Sequence, residues 1–409
     1  MENDIKFLRI QNFKSIKDVT LHPRRVNLII GEPNVGKSNL LEAMTLLGGI
    51  TYEQTEKFMG SFIRYEEPRQ LFYDNLVRNT IKVETDKEVA ALVFMNTLNQ
   101  FEYLFTNIEA YSALARNKIL NATSAADEGI EFSVFRDVPR EGISRELMAH
   151  LGISKFIHTA FSNNSTFNKL SSEPNLKGFK GFRFDKNGLR PFRYKGQSKV
   201  DEPPKSYTFQ KNSLINNDSS SNDLNPGNGN NLIEVIQTFS KLRQEIAQMF
   251  AHYGQKLQLR MDERRLEIIK DQDGVIYSFP YSSVADTLQR IIFYLAAIES
   301  NDDAVLLFEE PEAHSFPVYV SKLGRRIVES RNNQFFIDTH SPYLITEILE
   351  TMLTDDAQAG ELAMFAAYYE DHQTKVHQLS DEEVRSIRND GIDVFYNMKR
   401  FTTGAAHNA

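Results

Sequence analysis

Three short groups of residues, far apart in the chain, have the types and spacing to handle a phosphate ester. The first is Gly31-Glu32-Pro33-Asn34-Val35-Gly36-Lys37-Ser38. Its glycines allow backbone N–H groups to close on phosphate oxygens, and Lys37 can reach the β- and γ-phosphates. The Ser38 hydroxyl can ligate Mg²⁺, and a helix beginning here would turn its positive end toward the anion. The second group is Glu309-Glu310-Pro311-Glu312 and the third is Thr339-His340-Ser341-Pro342. An acid at the end of a buried strand can hold the Mg²⁺ shell, here Glu309, and its neighbour Glu310 can polarise an attacking water. A histidine in the same place, His340, can bond a γ-phosphate and register its loss. Taken alone, the second group also reads as a solvated acidic turn and the third as a helix cap.

The elements that must position these residues are legible around them. Val26-Asn27-Leu28-Ile29-Ile30 is apolar enough for a buried strand, and Asn39-Leu40-Leu41-Glu42-Ala43-Met44 continues as a helix. The strands Ala304–Phe308 and Gln334–Asp338 deliver the acids and the histidine, with a helix over 287–300 before them and one from about Pro317 to Ser330 between them. Gln70-Leu71-Phe72-Tyr73 and residues 80–84 read as strands, and 90–106 holds two further apolar runs. A helix is expected over 232–253. Strands follow at 256–260 and 266–270, with a turn at Asp271-Gln272-Asp273-Gly274 leading to Val275. Residues 362–369 and 375–379 form a hairpin pattern, and Ser380-Asp381-Glu382-Glu383 is a capping box. The stretch 161–229 is rich in Asn, Ser, Gly and Pro and reads as an insertion.

Composition narrows the classes. A chain of 409 residues can hold two or three domains. It has no cysteine, which excludes a disulfide framework, a thiolate metal site and a cysteine nucleophile. The net charge of −8 argues against a uniformly basic nucleic-acid-coating protein. No apolar run is long enough for a membrane helix and no secretion signal opens the chain, so no membrane partner and a cytoplasmic location are expected.

Taken together the three groups resemble ABC-type ATPases of the SMC and RecF branch, and among these the OLD-like (overcoming lysogenisation defect) ATPases. Ile10-Gln11-Asn12-Phe13-Lys14-Ser15-Ile16 looks like the branch's opening strand and turn. The resemblance covers roughly residues 1–50 and 255–400. It implies a P-loop NTPase fold of the ABC/SMC-head type: α/β, with a mixed sheet, an antiparallel β edge and a helical or irregular insertion. The implied division is an N-terminal lobe at 1–110, an insertion at 111–254 and a C-terminal lobe at 255–409. ATP and Mg²⁺ are the implied cofactors. By resemblance Lys37, Glu310 and His340 would be catalytic. Asn12, Lys14, Ser15, Asn34, Val35, Gly36, Ser38 and Asn39 would contact nucleotide. Ser38, Glu309 and a Q-loop glutamine, best placed at Gln70, would serve the metal. Glu309 departs from the family's usual Asp. The family's signature serine corresponds to Ser282 or Ser283, in a segment lacking the usual glycines; an ordinary capped helix start gives the same pattern. Two such heads would sandwich two ATP molecules, as a homodimer or a higher homo-oligomer.

OLD-type nucleases carry a Toprim domain, and no matching acid pattern follows His340 here. The chain therefore resembles stand-alone sensor ATPases of anti-phage systems, the PARIS type included, which act with a separate nuclease as effector. The alternative is a RecF-like repair or chromosome-maintenance ATPase that binds DNA. It rests on Lys177 to Lys199, where Lys180, Arg183, Lys186, Arg190, Arg193 and Lys195 interleave with Phe179, Phe182, Phe184, Phe192 and Tyr194. A surface hairpin with aromatics inward and basic residues outward would give the same alternation.

Overall fold

The structure is a computed structural model and describes residues 1–52, 57–95, 99–108, 180–189, 202–211, 222–260 and 262–402. Most of the expected insertion, and of the basic segment Arg190, Arg193, Lys195, Lys199 and Lys177, lies outside those residues. The chain forms two compact units that do not follow chain order. One holds Met1–Lys6, Val19–Gly48 and Asp201–Ala409; the other holds Phe7–Asp18 and Gly49–Val200.

The second of these units is built on antiparallel strands. They are β1 (Leu8–Phe13), the start of β2 (Ile16–Leu21), β4 (Ile81–Thr85), β5 (Glu88–Met95), β6 (Gln100–Asn107) and β7 (Lys180–Phe184), in the order β2-β1-β4-β5-β6-β7. The two apolar runs at 90–106 are β5 and β6, paired from Glu88↔Asn107 to Met95↔Gln100. Gln70–Tyr73 is not a strand. Pro68 opens a 3₁₀ turn over Pro68–Leu71, and a second one covers Tyr73–Asn75. Proline fixes φ and suits the first turn of a helix, so it overrides the apolar run behind it.

The first unit carries the three motif groups. Its main sheet runs β15-β14-β3-β13-β12-β8, from β3 (Val26–Gly31), β8 (Lys205–Tyr207), β12 (Val305–Glu309), β13 (Gln334–Asp338), β14 (Leu362–Glu370) and β15 (Gln373–Gln378). From β14 to β8 every pairing is parallel, and β15 closes one edge antiparallel, giving the expected mixed sheet. Every residue of β3 and β13 is buried. That is why both read as mainly apolar runs and not as alternation: a parallel sheet is covered on both faces. The covering helices are α1 (Lys37–Thr45), α2 (Leu232–Thr238), α3 (Ser240–Ala251), α4 (Asp286–Ser300), α5 (Pro317–Glu329) and α6 (Pro342–Met352). The helix expected over 232–253 is thus two, broken at Phe239, whose ψ of 105° is extended and whose side chain packs on the core. Tyr253, the last residue of the expected helix, lies beyond α3 and is 49% exposed.

A smaller antiparallel sheet, β9 (Lys256–Arg260), β10 (Arg265–Gln272) and β11 (Val275–Pro280), leads into α4. Asp273 and Gly274 form its two-residue turn with positive φ at both positions, the backbone that Asp-Gly favours. The capping box is formed: the Ser380 hydroxyl accepts from Glu383 N–H, and the Glu383 carboxylate accepts from Ser380 N–H at 2.7 Å.

Candidate functional site

The order of strands decides which groups meet. The phosphate loop leaves β3, and the strand beside β3 is β13, with β12 one place further. The C-terminal ends of three adjacent parallel strands therefore present Gly31, then Asp338-Thr339-His340, then Glu309-Glu310, the end of an α/β sheet at which ligands bind.

The loop from Gly31 to Lys37 needs special backbone at two positions. Asn34 has φ 64° and Gly36 φ 93°; Asn and Gly are the residues that accept this region most readily. Gly31 is required by space, since a Cβ there would lie 2.5 Å from the Ala367 carbonyl oxygen. Val35 is buried, and its carbonyl accepts from the Thr374 hydroxyl at 2.8 Å, tying the loop to β15. Glu32, Pro33 and Asn34 stay exposed, while Gly36, Ser38 and Asn39 are half-buried.

Lys37 is only 5% exposed and its ammonium donates to the carbonyls of Gly31 and Glu32, both at 3.1 Å. Burial lowers its pKa, while Asp338, Glu310 and Glu312 oppose that. Ser38 donates its hydroxyl proton to Asp338 Oδ2 at 2.8 Å. Asp338 is fully buried, and its other oxygen, Oδ1, has no hydrogen-bond partner. Burial pushes the Asp338 carboxyl up to about 7, against the pull of Lys37 and the Ser38 bond. Sequence reasoning passed over this residue, although it ends an apolar strand just as Glu309 does.

Glu310 sits at φ 41°, uncommon for a non-glycine residue, and its N–H donates to the Asp338 carbonyl at 2.9 Å. Its Oε1 lies 3.3 Å from His340 Nε2. Burial and Lys37 lower the His340 pKa below its ordinary 6.5, with Glu310 opposing. Glu312, which carried no role in the sequence, holds the histidine's loop. Its Oε1 accepts from Thr339 Oγ1 at 2.7 Å and from His340 N–H at 2.8 Å. Burial raises its pKa, and Oε2 has no partner. Glu309 is half-buried at the end of β12, in register with Asp338.

The structure brings Lys37, Ser38, Glu309, Glu310 and His340 to one sheet end. Ser282 and Ser283 are exposed in a 3₁₀ turn before α4, and their bonds stay local: Ser283 Oγ donates to Pro280 O at 2.7 Å. Asn12, Lys14, Ser15 and Gln70 belong to the other unit. There Asn12 and Lys14 take positive φ, and Asn12 Nδ2 donates to Thr80 O at 2.9 Å. Gln70 Oε1 accepts from the backbone of Glu66 at 2.7 Å and of Glu67 at 3.3 Å, so the oxygen a metal would use already caps a turn. In the basic segment, Phe184 is fully buried and stacked between Phe58 and Phe101. It is a core residue and not a platform for a base.

A P-loop, two acids and a histidine on adjacent parallel strand ends define a P-loop nucleotide hydrolase. A family model described as AAA ATPase domain matches residues 4–345, most of the chain. The chain belongs to that family and is an ATPase. A comparison with curated proteins finds no significant match. Among solved structures it is similar to an SMC head bound to the C-winged helix domain of ScpA, with 14% identity over 94% of this chain and 99% of that one, TM-score 0.42. It is also similar to the SMC head domain from Thermotoga maritima, with 11% identity over 92% and 99%, TM-score 0.37. The third is an Smc head with an extended coiled coil, bound to the C-terminal domain of ScpA and derived from Pyrococcus furiosus, with 14% identity over 94% and 98%, TM-score 0.41. No helix among the described residues is long and apolar enough to cross a membrane.

Proposed function

We propose that ATP turnover in this chain works as an assembly switch, with the site at Lys37 completed by the Ser282–Ser283 turn of a second copy. The observation that supports it is the division of parts. Lys37, Ser38, Glu310 and His340 gather at one sheet end, while the signature-like serines stand exposed in a turn whose bonds are local. Within one copy, Lys37 and the loop N–H groups bind the β- and γ-phosphates, and the α1 N-terminus faces them. Glu310 takes the proton of the attacking water, and His340, held by Glu312, donates to the γ-phosphate. Loss of that phosphate removes charge-assisted bonds across the pair and releases it.

The side chains fit a divalent ion. Ser38 offers a hydroxyl, and Asp338 leaves a buried oxygen unpartnered. Among the described residues no three His, Asp or Glu side chains form a metal site of their own, so phosphate oxygens would complete the shell. Ser38 would hold Mg²⁺ together with an acid from these strand ends, which the family resemblance assigns to Glu309, and the ion when bound would neutralise charge developing on the phosphates.

The test is light scattering of the Glu310→Gln variant with ATP and Mg²⁺. Slowed hydrolysis should trap a dimer, and Ser282→Arg with Ser283→Arg should abolish it while ATP still binds. A Glu310→Gln protein that binds ATP and stays monomeric refutes the switch. The finer reading, a sensor in anti-phage defence that acts with a separate nuclease, rests on the OLD-like resemblance. It is tested by phage plating with and without the neighbouring genes; protection that survives Lys37→Ala would sink it.

A further inference from the structure

Two carboxylates compete for the metal role in this site. The sequence pattern assigns it to Glu309, on β12. The strand order puts β13 between β12 and the phosphate loop, so Asp338 and not Glu309 ends the strand next to β3. Asp338 alone of the two is bonded to Ser38, through Oδ2 at 2.8 Å. A hydroxyl that donates its proton to a carboxylate has its lone pairs turned outward, as a metal ligand must. The remaining oxygen, Oδ1, is buried without a partner. A buried carboxylate oxygen left unpaired is costly, and its persistence points to a donor that arrives with a ligand. Glu309 by contrast is the half-buried last residue of β12 and carries one methylene more than the family's usual Asp.

Building on the ATP-site reading above, we propose that Asp338 is the acid of the metal site: it positions the Ser38 hydroxyl for Mg²⁺ through Oδ2 and accepts a hydrogen bond from the ion's water through Oδ1. It is a positioning residue, acting on the ion through Ser38 and water. Glu309 then has a minor part in holding the ion. The chemistry is that of groups behind the first ligand shell, whose loss weakens metal binding about 10- to 100-fold.

The test separates metal linkage from nucleotide binding. A non-hydrolysable ATP analogue is titrated into wild type, Asp338→Asn, Asp338→Ser, Glu309→Gln and Ser38→Ala, each with Mg²⁺ and again with EDTA. The ratio of the two affinities is the readout. With Mn²⁺ in place of Mg²⁺, the electron paramagnetic resonance spectrum of the bound ion is a second one. Asp338→Asn should bind the analogue in EDTA within about 2-fold of wild type and lose about 10-fold or more of the metal-linked gain. Glu309→Gln should keep most of that gain and the wild-type Mn²⁺ spectrum, whereas both Asp338 variants and Ser38→Ala should alter the spectrum. Affinity in EDTA reports that the pocket is folded, and Asp338→Ser repeats the measurement with a different side chain. If both Asp338 variants keep the wild-type gain while Ser38→Ala loses it, Asp338 is structural and the proposal falls alone. If Glu309→Gln loses the gain and Asp338→Asn keeps it, the role belongs to Glu309. A wild type that binds no analogue under either condition overturns the ATP-site reading and this proposal with it.

Discussion

Replacing Glu312 tests whether the histidine's loop is held by one carboxylate. In Glu312→Ala, Thr339 Oγ1 and His340 N–H lose the oxygen they share, at 2.7 and 2.8 Å. Thr339 is fully buried, so water cannot replace the lost acceptor there. Leaving a buried donor unpaired costs about 1–3 kcal/mol. Removing a carboxylate that burial disfavours returns part of that cost. The net expectation is a loss of about 2 kcal/mol, read as a fall of a few degrees in melting temperature. Turnover should fall more than stability. A displacement of about 1 Å in a group that contacts the reacting phosphate costs on the order of 100-fold. Glu312→Gln keeps an acceptor oxygen and drops the charge, so it separates geometry from electrostatics. Burial raises the folded-state pKa of Glu312 above its ordinary 4.5. The stability contributed by the protonated acid is present below that ordinary value and is lost as pH rises through the folded-state value. Gln does not titrate, so the stability of Glu312→Gln relative to wild type should increase with pH. Melting curves between pH 5 and 8, with ATP turnover at pH 7, measure all of this. A Glu312→Ala protein with unchanged melting and turnover, or a Gln advantage that shrinks as pH rises, refutes the reasoning.

Three other outcomes follow from single contacts. Lys37→Ala removes the ammonium beside the Gly31 and Glu32 carbonyls, and fluorescent-nucleotide titration should show ATP affinity down by about 10-fold or more, a charge-assisted bond being worth about 1.5–3 kcal/mol; equal affinity would contradict the phosphate role. Gly31→Ala places a Cβ 2.5 Å from Ala367 O, a backbone atom that cannot turn aside, and denaturant titration should find the unfolding free energy lowered by about 1–3 kcal/mol; an unchanged value would show that the strands yield freely. Thr374→Val strands the Val35 carbonyl that its hydroxyl bonds at 2.8 Å, costing about 1–3 kcal/mol of stability and loosening the loop, so calorimetry should find weaker ATP binding; unaltered binding would mean β15 does not support the loop.

How much of this the sequence carried depended on how each contact is made. The phosphate loop, both acids and His340 were legible because each adjoins a five- or six-residue apolar strand, and the strand's end fixes where the next residues go. Asp338 carries no local signal of its own, because it closes an apolar run and is followed two residues on by the more distinctive histidine. Its importance lies in strand order, which local pattern does not encode. The edge strand β8 is Lys205-Ser206-Tyr207, too short for periodicity, and is held by Tyr207, fully buried, with Lys205 bonded to Asn301 at 2.7 Å and Asp223 at 2.9 Å. Its surroundings read as an insertion because of their asparagines, yet Asn231 is itself buried: its carbonyl oxygen accepts from Asn225 N–H and its amide donates to the Asp223 carbonyl. Composition registered polarity there and could not register that the polar groups satisfy one another. Gln70–Tyr73 failed for the opposite reason: apolar residues suggested a strand, and Pro68 with the Gln70 cap settled a turn.

The charge of the site constrains how it can be used. Lys37 is a buried cation among Asp338, Glu310 and Glu312, each of which holds up its pKa. His340, with its pKa lowered, adds little positive charge at neutral pH. A triphosphate entering this sheet end meets more acidic side chains than ammonium groups, and each acid that is ionised repels it. The helix N-terminus offsets some of that repulsion, though a helix dipole supplies only about half a unit charge. Binding must therefore depend strongly on cations that come with the nucleotide and, in the proposed pair, on hydroxyl donors from a neighbouring chain. The buried Asp338 oxygen without a partner and the exposed Ser282–Ser283 turn fit those two sources in turn. A site of this kind is weak when empty of metal and alone. On the switch proposed above, it would tighten when ion and partner are both present, which is the thermodynamic requirement of a switch.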